Sequence, residues 1–182
     1  MLRIVAGRLG GRRLIVPRDS ATRPTSERVR EALFSILGSI EGNVLDLYAG
    51  SGALGFEALS RGASRVVFVE SRRHALHALW ENACSLGVET AISLIPRPVE
   101  RASPRGPFSL ILADPPYALV ENGQAPRTLV ALLASGILAP GGVLVLEHAA
   151  RTPPPALGGL FLRECRCYGD TALSIHDAPL SQ

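Results

Sequence analysis

Two short motifs, about sixty residues apart, hold the residue types in this chain that could do chemistry. Asp46-Leu47-Tyr48-Ala49-Gly50-Ser51-Gly52-Ala53-Leu54-Gly55 carries an apolar run into a glycine-rich turn, and Asp114-Pro115-Pro116-Tyr117 follows a second apolar run at 108–113. Glycines at 50, 52 and 55 allow a tight strand-to-helix turn and let a ligand approach the backbone, which makes Ala49, Gly50, Ser51 and Gly52 candidate lining residues. Glu70, twenty residues after Gly50 and at the end of the next apolar run, is placed to accept hydrogen bonds from ribose hydroxyls. Asp46 can orient the loop or meet a ligand ammonium group. In the second motif the prolines stiffen the backbone and remove two amide donors, so the Asp114 carboxylate and the Pro115 carbonyl form a rigid acceptor pair for an exocyclic amine. Pro116 extends that rigidity, and Tyr117 offers a ring on which a planar, extruded base could stack. A dinucleotide enzyme would share the glycine turn and Glu70 but has no use for the second motif. The pair implies methyl transfer from S-adenosylmethionine (SAM) to an amino nitrogen, a reaction in which alignment supplies much of the rate.

The elements that must position these residues follow a regular alternation. Strands are expected at 43–48, 65–69, 91–95, 108–113 and 142–147, and helices at 53–61, 73–86 and about 125–135. Strands apolar throughout and separated by helices predict an α/β fold, Rossmann-like, with a mostly parallel sheet covered on both faces. Runs at 160–168 and 171–176 around Gly169-Asp170 predict a hairpin that adds an antiparallel edge strand, for seven strands in all. Ahead of this domain, short runs at 2–6 and 12–16 around Gly7, Gly10 and Gly11 predict a small β-hairpin, followed by a linker at 17–24. The expected division is residues 1–24 as hairpin and linker and 25–182 as the catalytic domain. Thr25 is expected to cap a helix bearing Val29, Ala32, Leu33, Ile36 and Leu37 on one face and ending near Gly38.

Charge is concentrated at one end. The net charge is only +3, but residues 1–30 hold eight arginines against Asp19 and Glu27, a local excess of six, while the rest of the chain is net acidic. Guanidinium binds phosphate bidentately and stacks on bases, so Arg3, Arg8, Arg12, Arg13 and Arg23 are candidate RNA contacts. No apolar run is long enough to span a bilayer, and arginines interrupt the N-terminal apolar stretches, so cytoplasmic residence is expected. Cys84, Cys165 and Cys167 are too few for a disulfide framework and are read as reduced and structural. His74 and His77 are read as part of a solvated helix face, and Trp80 as core or helix-surface packing.

The chain resembles the RsmD family of bacterial 16S rRNA guanine-N2 methyltransferases, class I SAM-dependent enzymes. The resemblance is carried by Arg3-Ile-Val-Ala-Gly7, Gly11-Arg-Arg-Leu14, Arg23-Pro-Thr25 with Arg28-Val-Arg-Glu-Ala-Leu-Phe34, the segment 46–55, Glu57-Ala-Leu-Ser-Arg61, Asp114-Pro-Pro-Tyr117 and Tyr168-Gly-Asp170. It implies methylation of N2 of the guanine conventionally numbered 966 in 16S rRNA, presented within the small ribosomal subunit or its precursor, by an enzyme expected to be monomeric. It also implies that Gly50 and Gly52 line the SAM site, that Glu70 holds the ribose, and that Asp114 to Tyr117 hold the target base. Where family members usually carry Asp or Asn to contact adenine, this chain has Pro98-Val99, so that contact is expected to come from the Val99 amide or to be weaker. Adenine-N6 or other amino methylation, and a non-catalytic ribosome-assembly role, remain alternatives on the sequence alone.

Overall fold

The computed structural model describes residues 2–17 and 26–180. Seven strands, β1 (Asn43–Leu47), β2 (Arg65–Val69), β3 (Ile92–Ile95), β4 (Phe108–Ala113), β5 (Leu138–Ala149), β6 (Phe161–Tyr168) and β7 (Thr171–Asp177), form one sheet in the order β3-β2-β1-β4-β5-β7-β6. The helices are α1 (Glu27–Leu37), α2 (Ala53–Ser60), α3 (Arg73–Leu86), α4 (Tyr117–Glu121) and α5 (Gln124–Leu133). Strands β1 to β5 pair in parallel, and β7 runs antiparallel between β5 and β6. The expected α/β sheet with an antiparallel hairpin at one edge is therefore present. Within that hairpin β7 is the reversed strand and β6 forms the rim.

Alternation along each strand divides the core in two. Val44, Val66, Phe68, Leu110 and Leu112 point into the layer formed with α1, α2 and α3. Leu45, Leu47, Val69, Ile111 and Ala113 point into the layer beneath α4 and α5. Burying aliphatic and aromatic side chains on both faces, each worth about 1.5–3 kcal/mol, is what holds the central strands in register. Gly55 lets α2 lie directly on β2, because a Cβ there would run into the Phe68 ring and come within 2.9 Å of Val66 Cγ1. Phe56 and Phe68 then pack with ring centroids 5.0 Å apart.

The N-terminal hairpin is shorter than expected: Arg3 and Arg13 form its one bridge, flanked by amide bonds from Ile4 to Arg12 (2.9 Å) and from Leu14 to Leu2 (2.9 Å). Its apolar residues Leu2, Ile4, Leu9 and Leu14 are buried in the α1–α3 layer. Buried Glu57 on α2 accepts the Val5 and Ala6 amides at 2.7 and 3.0 Å and the Arg61 guanidinium at 2.8 Å.

Several local expectations are corrected. The α1 cap is Ser26, whose Oγ accepts the Val29 amide at 3.3 Å; Thr25 lies outside the described residues, as do 18–24 of the expected linker. Strand β5 begins at Leu138, ahead of the expected start at 142, because its pairing with β4 continues through a register shift across Ala139-Pro140-Gly141-Gly142. A helix, α4, starts at Tyr117 directly after the prolines, with Pro116 in an extended conformation ahead of it. Trp80 is 49% exposed on α3, so of its two expected places, core and helix surface, it takes the second. The three cysteines are free and exposed, which removes a packing role. His77 Nε2 lies 3.4 Å from Glu81 Oε1 on the outer face of α3.

Candidate active site

Strand order reverses between β1 and β4, since the chain moves from β1 outward through β2 and β3 and then returns to β4 and β5. Ligands of open α/β sheets bind at such a switch point, beyond the carboxyl ends of the strands. The register aligns what lies there. Val69, Leu47, Ala113 and Leu146 form one row across β2, β1, β4 and β5. The next residues are Glu70, Tyr48, Asp114 and Glu147, so four chemistry-bearing residues stand side by side at the edge.

The glycine loop is held by carboxylates from within the fold. Asp46, 1% exposed, accepts the Gly55 amide at 2.9 Å and so fixes the start of α2. Of its two expected roles, orientation of the loop is the one with a bond to show for it. Burial pushes its carboxyl well above the ordinary value; the Gly55 amide opposes this, and the charges of Asp114 and Glu70 reinforce it. Glu70 accepts the amides of Gly50 at 2.9 Å and of Ser71 and Arg72 at 2.8 Å, and its Oε2 lies 3.1 Å from Arg72 Nη2. Burial alone would raise its carboxyl, yet the hydrogen bonds and charge of Arg72, with the Gly50 amide, outweigh it and hold Glu70 below the ordinary value. An ionised carboxylate at the end of β2 suits a ribose.

The loop backbone fits a nucleoside-bearing cofactor. Gly50 (φ 57°) has no heavy atom nearer to a would-be Cβ than Arg72 Nη2 at 3.8 Å, so its outer side is open to a ligand. Gly52 (φ 79°) has the opposite constraint: a Cβ there would run into Leu79 and lie 2.6 Å from Phe56 Cε2. Ala49 and Ser51 complete the turn, with the Gly52 amide donating to the Ala49 carbonyl at 2.7 Å. Val99, 3% exposed, opens a short 3-10 turn (Val99–Arg101) after β3, with exposed Glu100 beside it.

Sequence reasoning missed three participants. Tyr48 sits at φ 61°, a left-handed conformation unusual for a bulky side chain and a mark of backbone strain beside the glycine loop. Burial and the charge of Glu100 push its phenol up to about 12. Arg72 neutralises Glu70. Asn82, fully buried on α3, donates to the carbonyls of Ser51 and Ile15, both at 3.0 Å, and accepts the Ile15 amide at 2.7 Å, tying the glycine loop to the N-terminal segment. The positive φ at Tyr48 carries no sequence signal, and Asn82 is one polar residue on an otherwise amphipathic helix.

The second motif faces this loop across the switch point. Asp114 is half-buried, Pro115 buried, Pro116 exposed and Tyr117 half-buried. The Asp114 amide donates to the Leu47 carbonyl at 3.4 Å, which extends the β1–β4 pairing to the first residue of the motif. Two sequence-predicted groups thus meet at one sheet edge. The arginines do not join them: Arg3 pairs with Glu27 at 3.2 Å, Arg12 reaches the Ser85 carbonyl, and Arg8 and Arg13 are exposed on the hairpin. Arg23 lies outside the described residues. A cavity of about 840 Å³ on the α5 side has Val99, Glu100, Ser103, Arg105, Arg127 and Thr128 in its lining.

A protein-family model described as "Conserved hypothetical protein 95" matches residues 2–177. Ribosomal RNA small subunit methyltransferase D of Escherichia coli K12 is 33% identical over 159 residues, which cover 86% of this chain and 79% of that protein. The chain belongs to the RsmD family. Its structure superposes on that of Escherichia coli YhhF with a TM-score of 0.84, at 29% identity and 99% coverage of both chains. The N-methyltransferase NodS of Bradyrhizobium japonicum, solved with S-adenosyl-L-homocysteine, shares the fold at a TM-score of 0.66 and 19% identity, covering 87% of this chain and 90% of NodS. This RsmD-family chain is a class I methyltransferase with SAM as its cofactor.

Proposed function

We propose that the protein methylates the exocyclic N2 of G966 in 16S rRNA, acting in the cytoplasm as a monomer on the small ribosomal subunit or its precursor. The observation that carries the reading is the placement of Asp114-Pro115-Pro116-Tyr117 at the end of β4, directly across the switch point from the glycine loop. SAM supplies a methyl group on a sulfonium, which leaves as a neutral thioether without a general acid. The Gly50–Gly52 backbone lines the cofactor, Glu70 accepts its ribose hydroxyls, and the Val99 amide meets the adenine ring. Asp114 and the Pro115 carbonyl accept the two N2 hydrogens and turn the nitrogen lone pair toward the methyl carbon. Bound SAM would supply its methyl carbon to that lone pair and be left as neutral S-adenosylhomocysteine, while Asp114 and the Pro115 carbonyl keep the nitrogen oriented and its surplus proton would pass to solvent. Tyr117 stacks on the guanine, which has been drawn out of its helix at the cost of a few kcal/mol of stacking.

The arginines of residues 2–17 stand on a segment that is fastened to the glycine loop through Asn82, so phosphate contacts made there would fix the rRNA relative to the cofactor. The basic segment and linker at 1–24 serve as the RNA clamp and residues 25–182 as the catalytic domain. The reading is tested by tritiated-methyl transfer from SAM to small subunits lacking the modification, followed by nucleoside analysis of the digested rRNA. N2-methylguanosine at one site is the expected product. Label in N6-methyladenosine or in protein would replace guanine as the acceptor, and SAM binding without transfer to any acceptor would overturn the catalytic reading.

A further inference from the structure

The Tyr168-Gly169-Asp170 turn and the buried carboxylate of Glu147 have no part in the chemistry described so far, yet both converge on Tyr117. The Tyr117 hydroxyl lies 2.8 Å from Thr171 Oγ1 and 3.3 Å from Glu147 Oε1. Glu147 is 5% exposed and follows Leu146, the partner of Ala113, so it stands next to Asp114 in the edge row. Thr171 opens β7 immediately after the turn, where Gly169 (φ 62°) and a 2.8 Å bond from the Ala150 amide to the Asp170 carbonyl set the register that places it opposite Ala149. The phenol has one proton and Glu147, when ionised, only accepts. The arrangement that uses every group has Tyr117 donating to Glu147 and Thr171 donating to the phenol oxygen. Burial raises the Tyr117 phenol above its ordinary value; the Thr171 bond opposes this and the charges of Glu147 and Asp114 add to it, so the proton needed for donation stays in place at neutral pH.

We propose that Glu147 and Thr171 are positioning residues for methyl transfer: by bracketing the Tyr117 hydroxyl they hold its ring at the angle on which the acceptor base stacks. A tyrosine ring has two free torsions: fixing the phenol oxygen from two strands pins χ1, and because the phenol O–H and its lone pair prefer the ring plane, a donor and an acceptor on either side bias χ2 before the base arrives. The ordering cost is then met in folding, not in the encounter with RNA. Glu147 is bonded to the Tyr117 hydroxyl, on the far end of the ring that carries the base, so it acts through Tyr117. The inference rests on the reading of Tyr117 as a base platform.

The test is a double-mutant cycle in the full-length protein, with kcat and KM for unmodified small subunits and a separate SAM Kd. Tyr117→Phe keeps the ring and removes the hydroxyl; Glu147→Gln keeps the shape and removes the charge. Tyr117→Phe is expected to lower kcat about tenfold, the range for losing a hydrogen bond to a charged group, and Glu147→Gln, which keeps a neutral acceptor, by less, with SAM Kd changed less than about twofold in both. If they act through one bond, Glu147→Gln costs nothing more in the Tyr117→Phe background. Thr171→Val should lower kcat in the same way and Thr171→Ser should restore it, an arm that leaves Glu147 untouched should its variant fail to fold. Additive losses, or Tyr117→Phe at full activity, overturn the proposal. Tyr117→Ala separates the two readings. Full activity in Tyr117→Ala would remove the base platform itself, whereas loss in Tyr117→Ala with none in Tyr117→Phe would keep the platform and remove its anchor.

Discussion

The two halves of the cleft are built by different means. On the β1–β2 side the chain's own backbone occupies the carboxylates: Asp46 holds the Gly55 amide nine residues on, and Glu70 holds Gly50 twenty residues back. On the β4–β5 side the functional ring is held by side chains 30 and 54 residues away, Glu147 and Thr171. The first half is built around a short loop whose carboxylates lie within twenty residues of the amides they hold, with Asn82 on α3 bonding its Ser51 carbonyl. The second takes shape only when β5 and β7 have paired. The cofactor half should therefore be sensitive to backbone changes, and the acceptor half to single side chains.

The sharpest break in that contrast is Asp114→Ala. It should lower methyl transfer by about a thousandfold, the scale of removing an aligning group used in the transition state, while SAM affinity measured by calorimetry stays as it was. Retained transfer would take the acceptor role from Asp114. In the other half, Gly52→Ala should cost about 2–3 kcal/mol of stability, from a strained positive φ and a Cβ forced against Phe56 and Leu79. Urea unfolding reads that loss, and SAM affinity should fall with it. A variant of full stability would mean that the loop relaxes more readily than its packing indicates.

Arg12→Ala with Arg13→Ala touches neither half. It should weaken RNA binding and reduce the slope of log K against log salt by about one to two units, given roughly 0.7–0.9 per phosphate contact, with SAM Kd unaffected. An unchanged slope would return the hairpin to a plain solvated face. The smallest effect is expected for Asp46→Asn. The folded state raises this carboxyl well above 3.8, so the folded protein keeps a proton that the unfolded chain releases. The stability due to that proton is whole below the unfolded pKa and is lost as pH rises through the folded pKa. Asn keeps an acceptor for the Gly55 amide but does not titrate. Denaturant midpoints followed from acid to neutral pH should therefore fall less steeply in the variant, and identical profiles would remove the buried charge from the account.

Legibility followed distance along the chain. The strands flanking the glycine loop, Glu70 at its strand end and the Asp114 motif were readable because each rests on a local pattern: an apolar run, glycines at fixed spacing, prolines after an acid. The start of β5 was misread because Pro140 and Gly141 carry the signals of a turn while β4 continues to pair with the residues around them. Tyr48 was passed over because nothing in its residue type announces a positive φ. The exposure of the cysteines was not legible because residue type gives an average burial and says nothing of which helix face or sheet rim is left uncovered.

By itself the amino-acid sequence determined the α/β alternation, the glycine loop followed by Glu70, the Asp114-Pro-Pro-Tyr117 motif at a strand end and the basic end of the chain, since each is encoded in neighbouring residues through backbone propensity and side-chain period. The tertiary structure alone decided that Glu70, Tyr48, Asp114 and Glu147 form one row, that Asn82 fastens the N-terminal segment to the cofactor loop, and that Tyr117 is anchored to β5 and β7. Those contacts depend on strand order and register, which follow from how whole faces pack into a common core, and no short stretch of chain contains that information.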